Sequence, residues 1–228
     1  MKLDLVIPTL NRHSKLMNCI RSIERTRLEE DDMVLHIYFS RVEEFNDFPV
    51  KKPWLKTYLL EKYRASSFWN SHLKVMKADA MCYLNDDVEF IDDTIDKIFL
   101  NFVYYFKDYD GVIGLNQYNL PKNQAVSSAF GVIGKKFADR FPDRKVFCEE
   151  YHRFYLDFEM GLFANKLNKF KFCEDCKIIH HHPAFEQNKV DSTHMNVRKW
   201  LSKDRETFIK RQKAGLLWGE TFNHLKKE

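Results

Sequence analysis

Seven glycines and six prolines in 228 residues are too few for a linker-rich or low-complexity chain. No apolar run approaches the roughly 20 residues that a bilayer-spanning helix needs. The longest, Phe99 to Phe106, is interrupted by Asn101. No secretory leader is expected either, because Asp4 and Pro8 break the only early apolar stretch, Leu3 to Leu10. A cytoplasmic location is the expectation. Five cysteines (Cys19, Cys82, Cys148, Cys173, Cys176) are an odd number set among apolar neighbours, which suits reduced thiols and excludes a disulfide framework. Cys173-x-x-Cys176 by itself lacks the four ligands of a structural zinc site. Charge of one sign is not in excess either. A net charge of +4 favours polyanions only weakly and does not make a dedicated nucleic-acid binder.

What is present is a globular profile, 44% hydrophobic, 31% charged and 15% aromatic, at a length that suits one large α/β domain. Leu3 to Ile7 reads as a buried strand ended by Pro8-Thr9. Leu16, Cys19, Ile20 and Ile23 then fall at helical spacing within residues 11 to 27. Met33 to Phe39 and Trp54 to Leu60 are further strands, with an acidic, irregular loop from Ser40 to Pro53. Ser66 to Lys77 is helical, and Met81 to Leu84 is a buried strand stopping at Asn85-Asp86-Asp87. A helix follows from about Asp93 to Phe106, then strands at Gly111 to Leu115 and Ala129 to Ile133, a helix at Tyr151 to Leu167 and a strand at Lys171 to Ile179. This alternation predicts an α/β fold with a mainly parallel twisted sheet and helices on both faces. From about Val197 the chain turns helical and basic. Residues 186–228 are read as an extension packed on the domain formed by residues 1–185, with Gly215 and Gly219 weakening the helix.

Open α/β sheets bind ligands beyond the carboxyl ends of their strands. Two such ends are polar: Pro8-Thr9-Leu10-Asn11-Arg12 and Asn85-Asp86-Asp87. Adjacent carboxylates there suit Mg²⁺ or Mn²⁺, hard cations that bridge protein oxygens to substrate phosphates. A nucleoside diphosphate would complete such a site. The bland alternatives are an Asn/Asp turn cluster at 85–87, a helix cap at Asn11, and a surface charge at Arg12.

These segments, in order, resemble the family 2 type of inverting glycosyltransferases, which have the A-type nucleotide-sugar-binding fold. Leu5 to Arg12 is similar to the family's opening strand and donor-binding turn, and Ala65 to Val88 to its arginine-asparagine helix and Asp-x-Asp strand. The resemblance places Asn70 at the asparagine position, Asn85 at the first acidic position of Asp-x-Asp and Asp87 at the second. Ser128 to Lys136 is similar to the strand leading to the acceptor region. Asp157-Phe158-Glu159-Met160-Gly161-Leu162 resembles the acidic helix start, so the family's catalytic base falls on Asp157, with Glu159 as the second carboxylate. His180-His181-His182 stands where a late strand gives a histidine to the metal.

The resemblance thus implies a metal-dependent sugar transfer from a nucleoside-diphosphate sugar to an acceptor hydroxyl. Pro8, Thr9, Asn11, Arg12, Ser40, Asn70, Asn85 and Asp86 would bind the donor. Asp87, His180 and His182 would hold Mn²⁺ or Mg²⁺, and Asp157 or Glu159 would take the proton. Departures stand at Phe39-Ser40-Arg41, where an aspartate usually reads the nucleoside, at Trp69 in place of arginine, and at Asn85 itself. The acceptor is read as a saccharide or similar, with DNA carrying hydroxymethylated bases as one alternative and a non-catalytic sugar-nucleotide or glycan binding module as the other. The missing Gly-rich loop after the first strand argues against a nucleotidyltransferase.

Overall fold

Strand β1, Leu3–Thr9, is buried along almost its whole length, because both faces of the sheet are covered. Its odd positions, Leu3, Leu5 and Ile7, enter one core, while Val6 enters the core on the opposite face. Each such aliphatic side chain contributes about 1.5–3 kcal/mol by leaving water. The computed structural model describes residues 1–26, 32–61, 64–91, 93–119, 129–181 and 192–217, with the side chains of 192–198 excepted.

Eight strands form one sheet in the order β3-β2-β1-β4-β7-β6-β8-β5. The neighbours of β1 are β2, Met33–Phe39, and β4, Ala80–Tyr83, both parallel to it. At the far side of β2 lies β3, Leu55–Leu59, also parallel. Beyond β4 the sheet is mixed. Strand β7, Gly131–Gly134, runs antiparallel to both β4 and β6, Val112–Gln117, whereas β8, Phe170–His180, is parallel to β6. Gly131 sits where strands approach closely: a Cβ there would lie 2.3 Å from the Ile113 carbonyl oxygen.

On one face pack α1, His13–Thr26, through Leu16, Cys19, Ile20 and Ile23, and α4, Thr94–Tyr105, through Ile95, Ile98 and Phe102. The other face carries α3, Ala65–Val75, and α6, Leu156–Lys166. Phe208 of α7, Ser192–Ala214, joins that second core. Gly215, at φ 67°, supplies the left-handed residue that ends α7 and returns the Leu216 amide to the Arg211 carbonyl at 2.8 Å. Its effect is to stop the helix cleanly. Trp218, Gly219, Phe222 and Leu225 lie outside the described residues. Among the described residues no helix is long and apolar enough to cross a membrane.

Besides the antiparallel run of β7, the structure departs from the sequence expectation at several elements. The segment 40–53 contains a short helix α2, Val42–Asn46, too brief for any apolar period to show. Strand β5, Val88–Phe90, exists because its three residues pair with Ile178, Ile179 and His180. A one-turn helix α5, Lys135–Ala138, follows β7. Residues 151–155 are not helical: Tyr155 has φ 68°, and the preceding amides are taken by an acidic side chain from α7.

Candidate functional site

Strand order reverses at β1, with β2 on one side and β4 on the other, and the carboxyl ends of β1 and β4 open there into a cavity of about 560 Å³. Pro8, Thr9, Arg12, Ser40, Asn85 and Asp86 line it from the strand ends. His152 to Phe158, the segment entering α6, forms the facing wall, and His180 closes one side.

The strand ends are tied by charge. The Thr9 hydroxyl donates to Asp86 Oδ2 at 2.8 Å. One guanidinium nitrogen, Arg12 Nη1, reaches both Asp86 Oδ1 at 3.0 Å and Asp87 Oδ2 at 2.9 Å, with all three side chains almost fully buried. Burial drives the Asp86 carboxyl upward, and the charge of Asp87 adds to that against the pull of Arg12. Burial also disfavours the Asp87 carboxylate, but His180 and Arg12 outweigh it and hold the group ionised. Asp87 is therefore the permanent anion of the pair.

On its other side Asp87 Oδ1 faces His180 Nε2 at 3.4 Å, beyond a well-formed hydrogen bond. His180 Nδ1 lies 2.8 Å from Gln117 Oε1. An amide oxygen only accepts, so Nδ1 carries the proton and the other nitrogen is turned toward the carboxylate. A carboxylate oxygen and an imidazole nitrogen aimed at one point form a donor set that fits a divalent cation. His181 turns away, its Nε2 meeting Glu89 Oε2 at 2.9 Å, and His182 lies outside the described residues.

Asp157 is half-buried on the cavity wall across from the strand ends. Burial raises its carboxyl above the ordinary range, and the backbone amides of Asp157 and Phe158 only partly offset that. Glu159 lies elsewhere: it is fully buried, with Arg211 Nη2 at 2.7 Å from Oε1 and the Tyr151 hydroxyl donating to Oε2. A carboxylate held in this way does not face the cavity, and its place is structural. Two expected donor-binding residues are also absent from the cavity wall. Asn70 sews α3 to residues 147–149, donating to the Phe147 carbonyl at 2.7 Å and accepting its amide at 3.0 Å. Asn11, at φ 55°, is exposed and gives its amide to Glu44.

Several contributors escaped the sequence reading. Asp204, fully buried, accepts the amides of His152 at 2.9 Å, Arg153 at 2.8 Å and Phe154 at 2.8 Å, so α7 shapes the wall opposite the strand ends. Trp200 stacks on His152 with ring centroids 3.8 Å apart. Asp204, Phe208 and Arg211 fall at i, i+4 and i+7 on one helix face. That spacing was the available signal, hidden among the many charges of the tail. Trp69 packs against Phe147 and Tyr83.

No protein-family model matches the sequence, and no curated protein is similar to it in sequence. Solved structures are similar in fold. TarS of S. aureus is 16% identical, with a TM-score of 0.58 over 80% of this chain and 37% of that one. TarS 1–349 in complex with UDP-GlcNAc is 15% identical, with a TM-score of 0.58 over 84% and 62%. The mannosyltransferase PcManGT from Pyrobaculum calidifontis, in complex with GDP-Man and Mn²⁺, is 10% identical, with a TM-score of 0.58 over 78% and 56%. At these identities the likeness shows a common fold. This chain spans 37% to 62% of the length of those three.

Proposed function

We propose that this chain is a glycosyltransferase that moves a sugar from a nucleoside-diphosphate donor to an acceptor hydroxyl on a saccharide or similar molecule, with inversion at the anomeric carbon. The observation that carries the reading is the facing of two groups across one cavity at the strand-order reversal: Arg12, Asp86 and His180 on one wall, with Asp87 buried behind them against Arg12 and His180, and Asp157 on the other. The fold it shares with a mannosyltransferase in complex with GDP-Man and Mn²⁺, and with TarS in complex with UDP-GlcNAc, supports the same reading.

In this assignment Thr9, Arg12, Ser40 and Asn85 cradle the nucleoside diphosphate, and the Arg12 guanidinium keeps Asp86 and Asp87 fixed beside it. Asp87 and His180 would hold Mn²⁺ or Mg²⁺, which, when bound, offsets negative charge on the departing diphosphate. Asp157 accepts the proton of the acceptor hydroxyl as that oxygen attacks the anomeric carbon from the face opposite the leaving group. Its raised pKa makes it a stronger base than an exposed aspartate. The wall of residues 152–158 excludes water from that exchange and holds Asp157 in place.

Calorimetric titration with UDP, GDP and dTDP, with and without Mn²⁺, tests the donor site. One nucleotide should bind in a Mn²⁺-dependent manner and lose at least about tenfold in affinity, or ~1.4 kcal/mol, in Asp87→Ala. Absence of binding to all three by the folded protein would overturn the assignment and leave a non-catalytic module in its place.

A further inference from the structure

At the opposite end of β1 from the cavity, a second set of metal-ligating side chains is assembled. Asp4 on β1, His36 on β2 and His72 on α3 are all at least nine-tenths buried, with 8%, 6% and 3% of their surfaces exposed. One donor atom from each lies within 4.8 Å of the others. Asp4 Oδ2 is 2.9 Å from His72 Nε2 and Asp4 Oδ1 is 3.1 Å from His36 Nε2. The carboxylate thus lies between the two imidazoles, with one oxygen toward each Nε2, so that all three donor groups converge on one point.

Two further features distinguish the cluster from an ordinary buried ion network. Both outer imidazole nitrogens are anchored by tyrosine hydroxyls: His36 Nδ1 by Tyr58 at 3.1 Å and His72 Nδ1 by Tyr38 at 2.9 Å. That is the outer-shell arrangement by which proteins fix the ring and tautomer of a metal-binding histidine. Moreover, His36 Nε2 is buried and makes no well-formed hydrogen bond, although it points into the cluster. A buried nitrogen left so is a cost to the fold that a cation removes.

We propose that Asp4, His36 and His72 form a zinc site, with a water as fourth ligand, that staples α3 to β1 and β2. Two imidazoles with one carboxylate select a borderline cation such as Zn²⁺ or Co²⁺ over Mg²⁺. The site is separate from the donor cavity: none of the three residues lines it, and Asp4 and His36, level with Val6, lie five and three residues of extended chain before Thr9, on the order of 16 and 10 Å. It stands independently of the proposed sugar transfer.

The probe is Zn²⁺ alone, added to the EDTA-stripped full chain and measured by elemental analysis and by thermal melting. The expected result is one equivalent bound with a raised melting temperature, kept in Asp87→Asn and weakened at least about tenfold in His36→Gln. Unaltered zinc binding in folded His36→Gln, its disappearance in Asp87→Asn, or a zinc-free wild type overturns the proposal. Should His36→Gln fail to fold, a zinc-edge anomalous map from wild-type crystals decides. A peak between the two Nε2 atoms supports the site, and a peak only beside Asp87 and His180, or none, refutes it.

Discussion

Arg211 Nη2 lies 2.7 Å from Glu159 Oε1, and both side chains are withdrawn from solvent. This pair, with the Tyr151 hydroxyl, ties α7 to α6. Removing the cation leaves an uncompensated buried charge, so Arg211→Met should cost about 3–5 kcal/mol. Adding Glu159→Gln to it should recover part of that loss. A double-mutant cycle by urea unfolding reads the coupling directly, and additive losses would show that the two groups do not act as a pair.

Arg12 plays the corresponding part at the strand ends. With Arg12→Met, Asp86 and Asp87 face each other buried without that partner, and their folded-state pKa values rise. A raised carboxyl pKa contributes stability at low pH that is lost as pH rises, so the variant's deficit should be about 3–5 kcal/mol at pH 7 and shrink toward pH 5. Mn²⁺ should raise the melting temperature of this variant by more than that of the wild type. A deficit independent of pH would mean that the guanidinium serves packing alone.

Asp157 carries opposite consequences for turnover and for stability. Its burial raises the folded-state pKa above the unfolded value of about 3.9, so keeping it ionised at pH 7 weakens the fold. Asp157→Asn should therefore melt at a higher temperature than the wild type at pH 7, with the gain vanishing as pH falls below about 4. The same variant should lose about 10²- to 10⁴-fold in transfer rate while still binding nucleotide. Unchanged transfer by Asp157→Asn would remove this residue from the proton-accepting role.

Asp204→Asn replaces one of two accepting oxygens by an amide that can only donate. The amides of His152, Arg153 and Phe154 then lose part of their acceptor, at about 1–3 kcal/mol. Hydrogen exchange at these three amides should accelerate by roughly tenfold or more, with β1 and β4 little altered. Equal exchange in wild type and variant would show that the loop holds its shape without α7.

The fold was legible wherever burial on both faces wrote a continuous apolar run. Met33–Phe39 and the helix carrying Leu16, Cys19, Ile20 and Ile23 follow from composition and spacing alone. The short β5 was not legible, because Val88-Glu89-Phe90 becomes a strand only by pairing with residues near the end of β8. The direction of β7 was hidden for a similar reason: four residues specify burial but not whether a neighbour runs with or against them. At the candidate site, Thr9, Arg12, Asp86 and Asp87 stood out as polar groups at strand ends, whereas Asp157, inside a stretch read as one helix from Tyr151 to Leu167, stood out only through the family resemblance. The places of Glu159 and Asn70 were not visible, since a buried anchor and a ligand-facing group can share one motif and differ only in which way the side chain turns.

The three amides gathered by Asp204 belong to a segment made 50 to 52 residues before it. During synthesis the sheet's central strands can therefore close while the cavity still lacks its far wall. Shaping of that wall waits for the arrival of α7, so the two ends of the cavity mature at different times. A nascent chain stalled before residue 204 would keep the Thr9 and Asp86 side of the site while its opposite side stayed unset, and chaperone contact or proteolysis would fall first on residues 152–155.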